Sequence, residues 1–191
     1  MPMHYEHVEI AEGDVPRPVF PFARHMLATY VSETNKVASV WRQFGDVDLD
    51  FAPVPRASSV KTIFSHQLLS ERRFFGEFLG TSEPPGAEIV PDPLTVAAAT
   101  ARLVDLARAR LPMLAAQPES WWLAEVPFFD VVRERVWIFW RRLLHTTHHR
   151  TQLTVYLRLM ERTVPPTYGP TADASWAGAD PTHSAAAAER R

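Results

Sequence analysis

The amino-acid sequence predicts an all-α protein: an up-down four-helix bundle with an extended N-terminal arm and a short C-terminal extension. Three observations predict it. Four segments repeat their apolar residues at intervals of three, four and seven, the period of an amphipathic helix. Proline- and glycine-bearing stretches separate these segments, and no run alternates in the manner of a strand. Four long amphipathic helices joined by loops bury their apolar faces most simply against one another.

Each element follows in order. Residues 1–19 hold Pro2, Pro16 and Pro18 and no helical period, so they read as an irregular or extended arm. From Phe22 to about Phe44 the apolar positions are Phe22, Met26, Tyr30, Val37, Val40, Trp41 and Phe44, with Gly45 placed to close the helix. A loop carrying Pro53 and Pro55 leads to Ser58 or Ser59 as the N-cap of a second helix. That helix runs to about Leu79 on Val60, Ile63, Phe64, Leu68, Phe74, Phe75 and Phe78, and Gly80 ends it.

Asp92 as N-cap and Pro93 at the first helical position predict the start of a third helix. It extends to about Ala116 on Leu94, Ala97, Ala101, Val104, Leu111 and Leu114, and Pro112 should distort its last turn. The connector QPESWWLAEVPFFD is aromatic enough to be expected to pack over the bundle. The fourth helix, about Asp130 to Arg162, shows a stripe of Val136, Trp137, Trp140, Leu144, Thr151, Val155 and Leu159 and stops before Pro165-Pro166. The domain is expected to span residues 1–174, with TYGPTADASW as an ordered loop or short helix. The Ala-rich, polar tail of 175–191 is expected to be disordered.

Composition excludes several functions. The net charge of −2 over 191 residues gives no overall attraction to nucleic acid or to an anionic membrane. The absence of cysteine rules out disulfides, thiolate metal sites and a cysteine nucleophile, so a metal would need nitrogen or oxygen ligands. The N-terminus lacks the apolar core of a signal peptide, and no apolar run approaches the roughly 20 residues that span a bilayer, so a cytoplasmic protein is expected. The Arg-rich series Arg133, Arg135, Arg141 and Arg142 reads as a solvated face, and Glu134 interrupts it.

The chemistry concentrates in LLHTTHHRTQLTVYLRLM, residues 143–160. His145 and His149 are four apart on a helix and project from one face with Cβ atoms about 5–6 Å apart. Two imidazoles so placed can reach one ion at about 2.0–2.1 Å each. A pair at this spacing also occurs in many helices where both rings are simply exposed or bonded to backbone. No Glu stands inside the pair, since position 146 is Thr, so a zincin-type protease is not indicated. His66, in the second helix, is the candidate third ligand; alone, such a residue is more often a surface or satisfied core histidine than a ligand. His148 points about 100° away from His149, although an i, i+3 pairing with His145 stays open.

Laid out this way, the chain resembles the DinB-like superfamily of metal-dependent four-helix-bundle proteins. His66 stands early in the second helix, where that family has its first histidine, and His145-xxx-His149-Arg150-x-Gln152 matches the pattern HxxxHRxQ. LTVYLRL followed by VPPTYGPTAD (164–173) is similar to a tail common in one branch, and the helical layout from about residue 20 to 174 fits. Members often have Gly between the Arg and the Gln; here it is Thr151. The resemblance implies a divalent metal, zinc or nickel, held by His66, His145 and His149, and a possible homodimer.

Around such a site Gln152 could orient a ligand histidine, touch substrate, or make a plain interhelical hydrogen bond. Tyr156 reads as packing, and Arg150 as half of a salt bridge with Glu71 or Asp130. The aromatic group Trp121, Trp122, Phe128, Phe129, Trp137 and Trp140 reads as core, or as the wall of a pocket for an apolar or thiol-bearing substrate. Three imidazoles leave a coordination position open, as catalytic sites do. The chemistry expected is hydrolysis of an amide or ester, or transfer of an external low-molecular-weight thiol to a small-molecule electrophile. The alternative is a non-catalytic helical module whose metal serves folding or dimerisation. Metal affinity is expected to weaken as pH falls below the histidine range of about 6.5.

Overall fold

Two of the long helices begin on hydroxyl caps: Ser59 Oγ accepts from Thr62 N–H at 3.2 Å, and Thr95 Oγ1 from Ala98 N–H at 3.1 Å. In the computed structural model, which describes residues 3–5 and 8–176, four long helices form the bundle. They are α1 (Ala23–Trp41), α2 (Val60–Arg73), α3 (Val96–Ala115) and, after a five-residue α4 (Glu119–Leu123), α5 (Arg135–Leu159). The backbone of α2 continues into a π-helical segment, Phe74–Leu79, closed by Gly80 in the left-handed conformation (φ 74°) that glycine adopts without strain.

The helix directions follow from what meets what. Val19 N–H bonds the Ala115 carbonyl beside the start of α1, while Asp46 Oδ1 beyond its end accepts from Val96 N–H, so α1 and α3 run antiparallel. Trp41 stacks on Phe64 and Tyr30 reaches Glu71, which sets α2 antiparallel to α1 as well. The α5 helix runs with α1, from the His25–Trp140 contact to the Glu33–Arg150 ion pair, and against α2, from Ser70–Arg142 to Ser58–Tyr156. Two apolar clusters fill the interior. One, around Met26, Leu27, Phe75, Trp122 and Phe139, lies toward α4; the other, around Trp41, Phe64, Leu103, Leu153 and Leu157, lies at the opposite end.

Strand structure is present at two places where none was expected. β2 (Glu125–Phe128) and β3 (Val131–Glu134) form an antiparallel hairpin that leads into α5, in register Glu125↔Glu134 to Phe128↔Val131. The aromatic connector therefore does pack on the bundle, as α4 and this hairpin. β1 (Met3–Tyr5) pairs in parallel with β4 (Ala174–Trp176), so part of the N-terminal arm and the segment after the bundle meet. The third helix begins at Val96 on a Thr95 cap, a few residues later than Asp92-Pro93, whose peptide bond is cis. The first helix ends at Trp41, and Gly45 instead opens a 3₁₀ turn. The expected disorder of the tail concerns residues that, from 177 on, lie outside those described.

Most of the stripe expected to carry the fourth helix inward faces outward, although Val136 and Trp140 pack half-buried against the core. Trp137, Leu144, Thr151, Val155 and Leu159 are exposed, whereas Ile138, Phe139, Leu143, Leu153, Tyr156 and Leu157 are buried. The buried face also contains Arg142 and Arg150, each 1% exposed, and these charges interrupt its apolar pattern. The periodicity was consequently more regular on the solvent side.

Candidate metal centre

One face of α5 and the facing edge of α2 bring three imidazoles together. His66, His145 and His149 each offer a ring nitrogen within 4.8 Å of the others. The Nε2 atoms of His66 and His145 are 3.4 Å apart. Two nitrogens each about 2.05 Å from an ion at the tetrahedral angle would lie about 3.3 Å apart, so this pair has the spacing of two ligands to one metal. His66 is exposed and the other two are half-buried, which leaves the cluster open to solvent on the α2 side.

The two α5 histidines have opposite kinds of partner. His149 Nδ1 meets Gln152 Oε1 at 3.2 Å; an amide oxygen only accepts, so Nδ1 carries the proton and Nε2 keeps its lone pair. Gln152 Nε2 in turn donates to Tyr156 Oη at 3.2 Å, and Tyr156 donates to the Ser58 carbonyl at 3.0 Å. This relay ties the His149 ring to the residue that precedes the cap of α2, the arrangement that fixes ligand histidines in metal proteins. Gln152 is thus bonded along its own helix to the histidine. Tyr156 is both a packed core residue and a link in the relay.

His145 Nδ1 faces Arg142 Nη1 at 2.8 Å. A guanidinium only donates, so Nδ1 accepts and the proton of His145 stands on Nε2, directed at His66. An ion binding there requires that proton to leave Nε2. Arg142 is firmly placed: it donates to Ser70 Oγ, to the Gln67 carbonyl and to Glu71, which is itself held by Arg110 and Tyr30. Arg110 completes the network through two bonds to Glu83. Glu71 stays well ionised: burial works to raise its pKa, but the Arg110 and Arg142 guanidiniums outweigh it and hold the carboxyl below its usual range.

All three histidines are held toward the neutral form, which for His145 still carries its proton on Nε2. Burial, then the charge of Arg142, pushes His145 down to about 3. Burial and Arg142 also lower His66; burial lowers His149, partly offset by its bond to Gln152.

The remaining candidates separate clearly. His148 is outside the cluster, on the outer face of α5 beside Leu144, Thr151 and Val155. Arg150 points to the opposite side of α5 and pairs with Glu33, not with Glu71 or Asp130. Glu33 also accepts from Lys36, Thr147 and Tyr168, so the loop after α5 is fastened to the same carboxylate. Arg142 is a correction: it is buried against the site and is not part of a solvated face. Its spacing, three residues before His145, was the available signal, masked by the neighbouring exposed arginines.

Comparison with known proteins places this geometry. A family model described as the DinB family matches residues 18–182. A DinB-like protein from Bacillus subtilis superposes with a TM-score of 0.59 at 16% identity, covering 75% of this chain and 96% of that one. A DinB-like protein from Bacillus cereus gives 0.62 at 17% identity, covering 75% and 95%. Both share the helical-bundle fold. No curated protein matches the chain.

Proposed function

The chain belongs to the DinB family, and from that premise we propose that it is a divalent-metal-dependent enzyme acting on a small molecule, with His66, His145 and His149 as ligands to zinc or nickel. The observation that carries the proposal is the 3.4 Å separation of the His66 and His145 Nε2 atoms, from helices otherwise 79 residues apart, with His149 beside them. When bound, the ion would supply a Lewis acid able to bind and ionise a thiol or a water.

The chain's own residues shape what that acid meets. Three neutral imidazoles add no negative charge and Arg142 beside His145 is balanced by Glu71, so the ion's own charge would favour an anion in the open position. Glu71, the nearest carboxylate on Arg142, is committed to Arg110, Arg142 and Tyr30 and does not serve as a base. A nucleophile that ionises without a protein base is therefore preferred. A thiol, with an ordinary pKa near 8.5, needs less assistance than water. We favour S-transfer from an external low-molecular-weight thiol to an electrophile; solvent access through the exposed His66 keeps hydrolysis of an ester or amide as the second reading.

Zinc- and nickel-loaded protein should be assayed with small thiols plus an activated aryl halide or epoxide, and separately with nitrophenyl esters. Metal-dependent turnover abolished by His145→Ala supports the proposal. Metal uptake without turnover on either class supports instead a helical module whose ion serves folding.

A further inference from the structure

The hairpin between α4 and α5 carries a large apolar side chain where backbone chemistry asks for a small one. Phe129 occupies its turn with φ 54°, the left-handed region that glycine, asparagine or aspartate normally fills. A phenylalanine there is strained, and its ring is 58% exposed, so burial does not explain it. Such outliers persist where the position of the side chain is itself of use.

The ring belongs to an aromatic series that reaches the histidines. Phe129 lies against Phe78 and Phe128, with ring centroids 5.0 and 4.8 Å away. Phe128 touches Phe74 and Trp137. Phe74, the first residue of the π-helical segment, stacks on His145 at 6.3 Å. Trp137 is 43% exposed, and Leu69, one helical turn after His66, is 41% exposed. Phe74 and Phe128 are themselves buried, so the accessible apolar surface on this side is supplied by Leu69, Trp137 and Phe129. Arg73, over Phe129, is paired with Glu77, whereas Arg141, one turn before His145, has no carboxylate partner among the described residues.

Resting on the metal-site proposal above, we infer that this rim selects the substrate: an organic anion with an aromatic or long aliphatic body. Its charged head meets the three-histidine site, and its body lies on Phe129 and Trp137. The metal site and Arg141 complement the head and the exposed rings the body, and the rings do not suit a compact polar substrate. Burying a phenyl group on such a surface strengthens binding about tenfold or more.

The test uses cobalt-loaded full-length protein and two anionic chelating probes, acetohydroxamate and 4-phenylbutanohydroxamate, titrated by the cobalt absorption bands. The phenyl-bearing probe should bind at least about tenfold tighter. Phe129→Gly, which suits the backbone and removes the ring, should close most of that gap while metal content stays at the parent level. Trp137→Ala provides a second variant with the same expectation. Equal affinities of the two probes in the parent, with metal bound, would overturn the inference and leave the metal site standing. A parent that takes up no cobalt or zinc would remove the metal reading, and this inference with it. Binding to anionic phospholipid vesicles, lost in Phe129→Gly, with no preference between the probes, would reassign the rim to a membrane surface.

Discussion

His145 shows how one side chain is tuned by its neighbours. Its pKa is pushed to about 3 by burial and by Arg142, and His66 and His149 are lowered as well. Protons therefore compete with a metal for these nitrogens below the pH at which a free imidazole titrates. Metal content should fall on acidification at a pH lower than the free-imidazole value of about 6.5; half-loss at or above that value would contradict the lowered values. Stability without metal has the opposite exposure to pH. The unfolded histidines take up protons below about 6.5 while the folded ones do not, so apoprotein stability declines as pH drops from there toward the folded pKa values. Gln152 offers a second check. Gln152→Ala removes the acceptor on His149 Nδ1 and should weaken zinc affinity about 10- to 100-fold with unchanged helicity. Unaltered affinity would show that the relay to Ser58 does not orient the ligand.

At the scale of elements, α5 is held by its two faces in different ways. One face presents His145 and His149 to α2. The other sends Arg150 to Glu33 on α1, where both partners are almost fully buried. Removing one member of such a pair strands the other, so Glu33→Ala should lower unfolding free energy by about 3–5 kcal/mol in urea titrations. A loss below about 1 kcal/mol would mean that Lys36 and Tyr168 are not supported by this carboxylate. The same helix explains what was hard to read in the sequence. Its buried face carries Arg142 and Arg150, so hydrophobic periodicity pointed to Leu144, Val155 and Leu159, which face solvent. Pattern reasoning treats charge as exposure, and here charge is buried because each guanidinium has a carboxylate. The cap at Ser59 was legible because its chemistry is local, whereas β1–β4 pairing is a contact between distant short segments with no local signal.

For the whole molecule, the bundle was legible because four helical periods and their breakers stand plainly in the chain, and the DinB family match over residues 18–182 agrees with it. His145 and His149 were legible through their spacing, whereas His66 was legible only through the resemblance to the family pattern. The network behind them was not: Tyr30, Glu71, Glu83 and Arg110 come from α1, α2, the loop after Gly80 and α3, and meet only after folding. The proposed metal centre requires this network and the bundle to hold three imidazoles for one divalent ion. Elemental analysis of tag-free protein, beside His66→Ala and His149→Ala, tests it most directly. The parent should carry about one zinc or nickel per chain, and both variants should lose that metal. A parent that binds neither metal after incubation with each, or variants that keep the parent's metal, would contradict it.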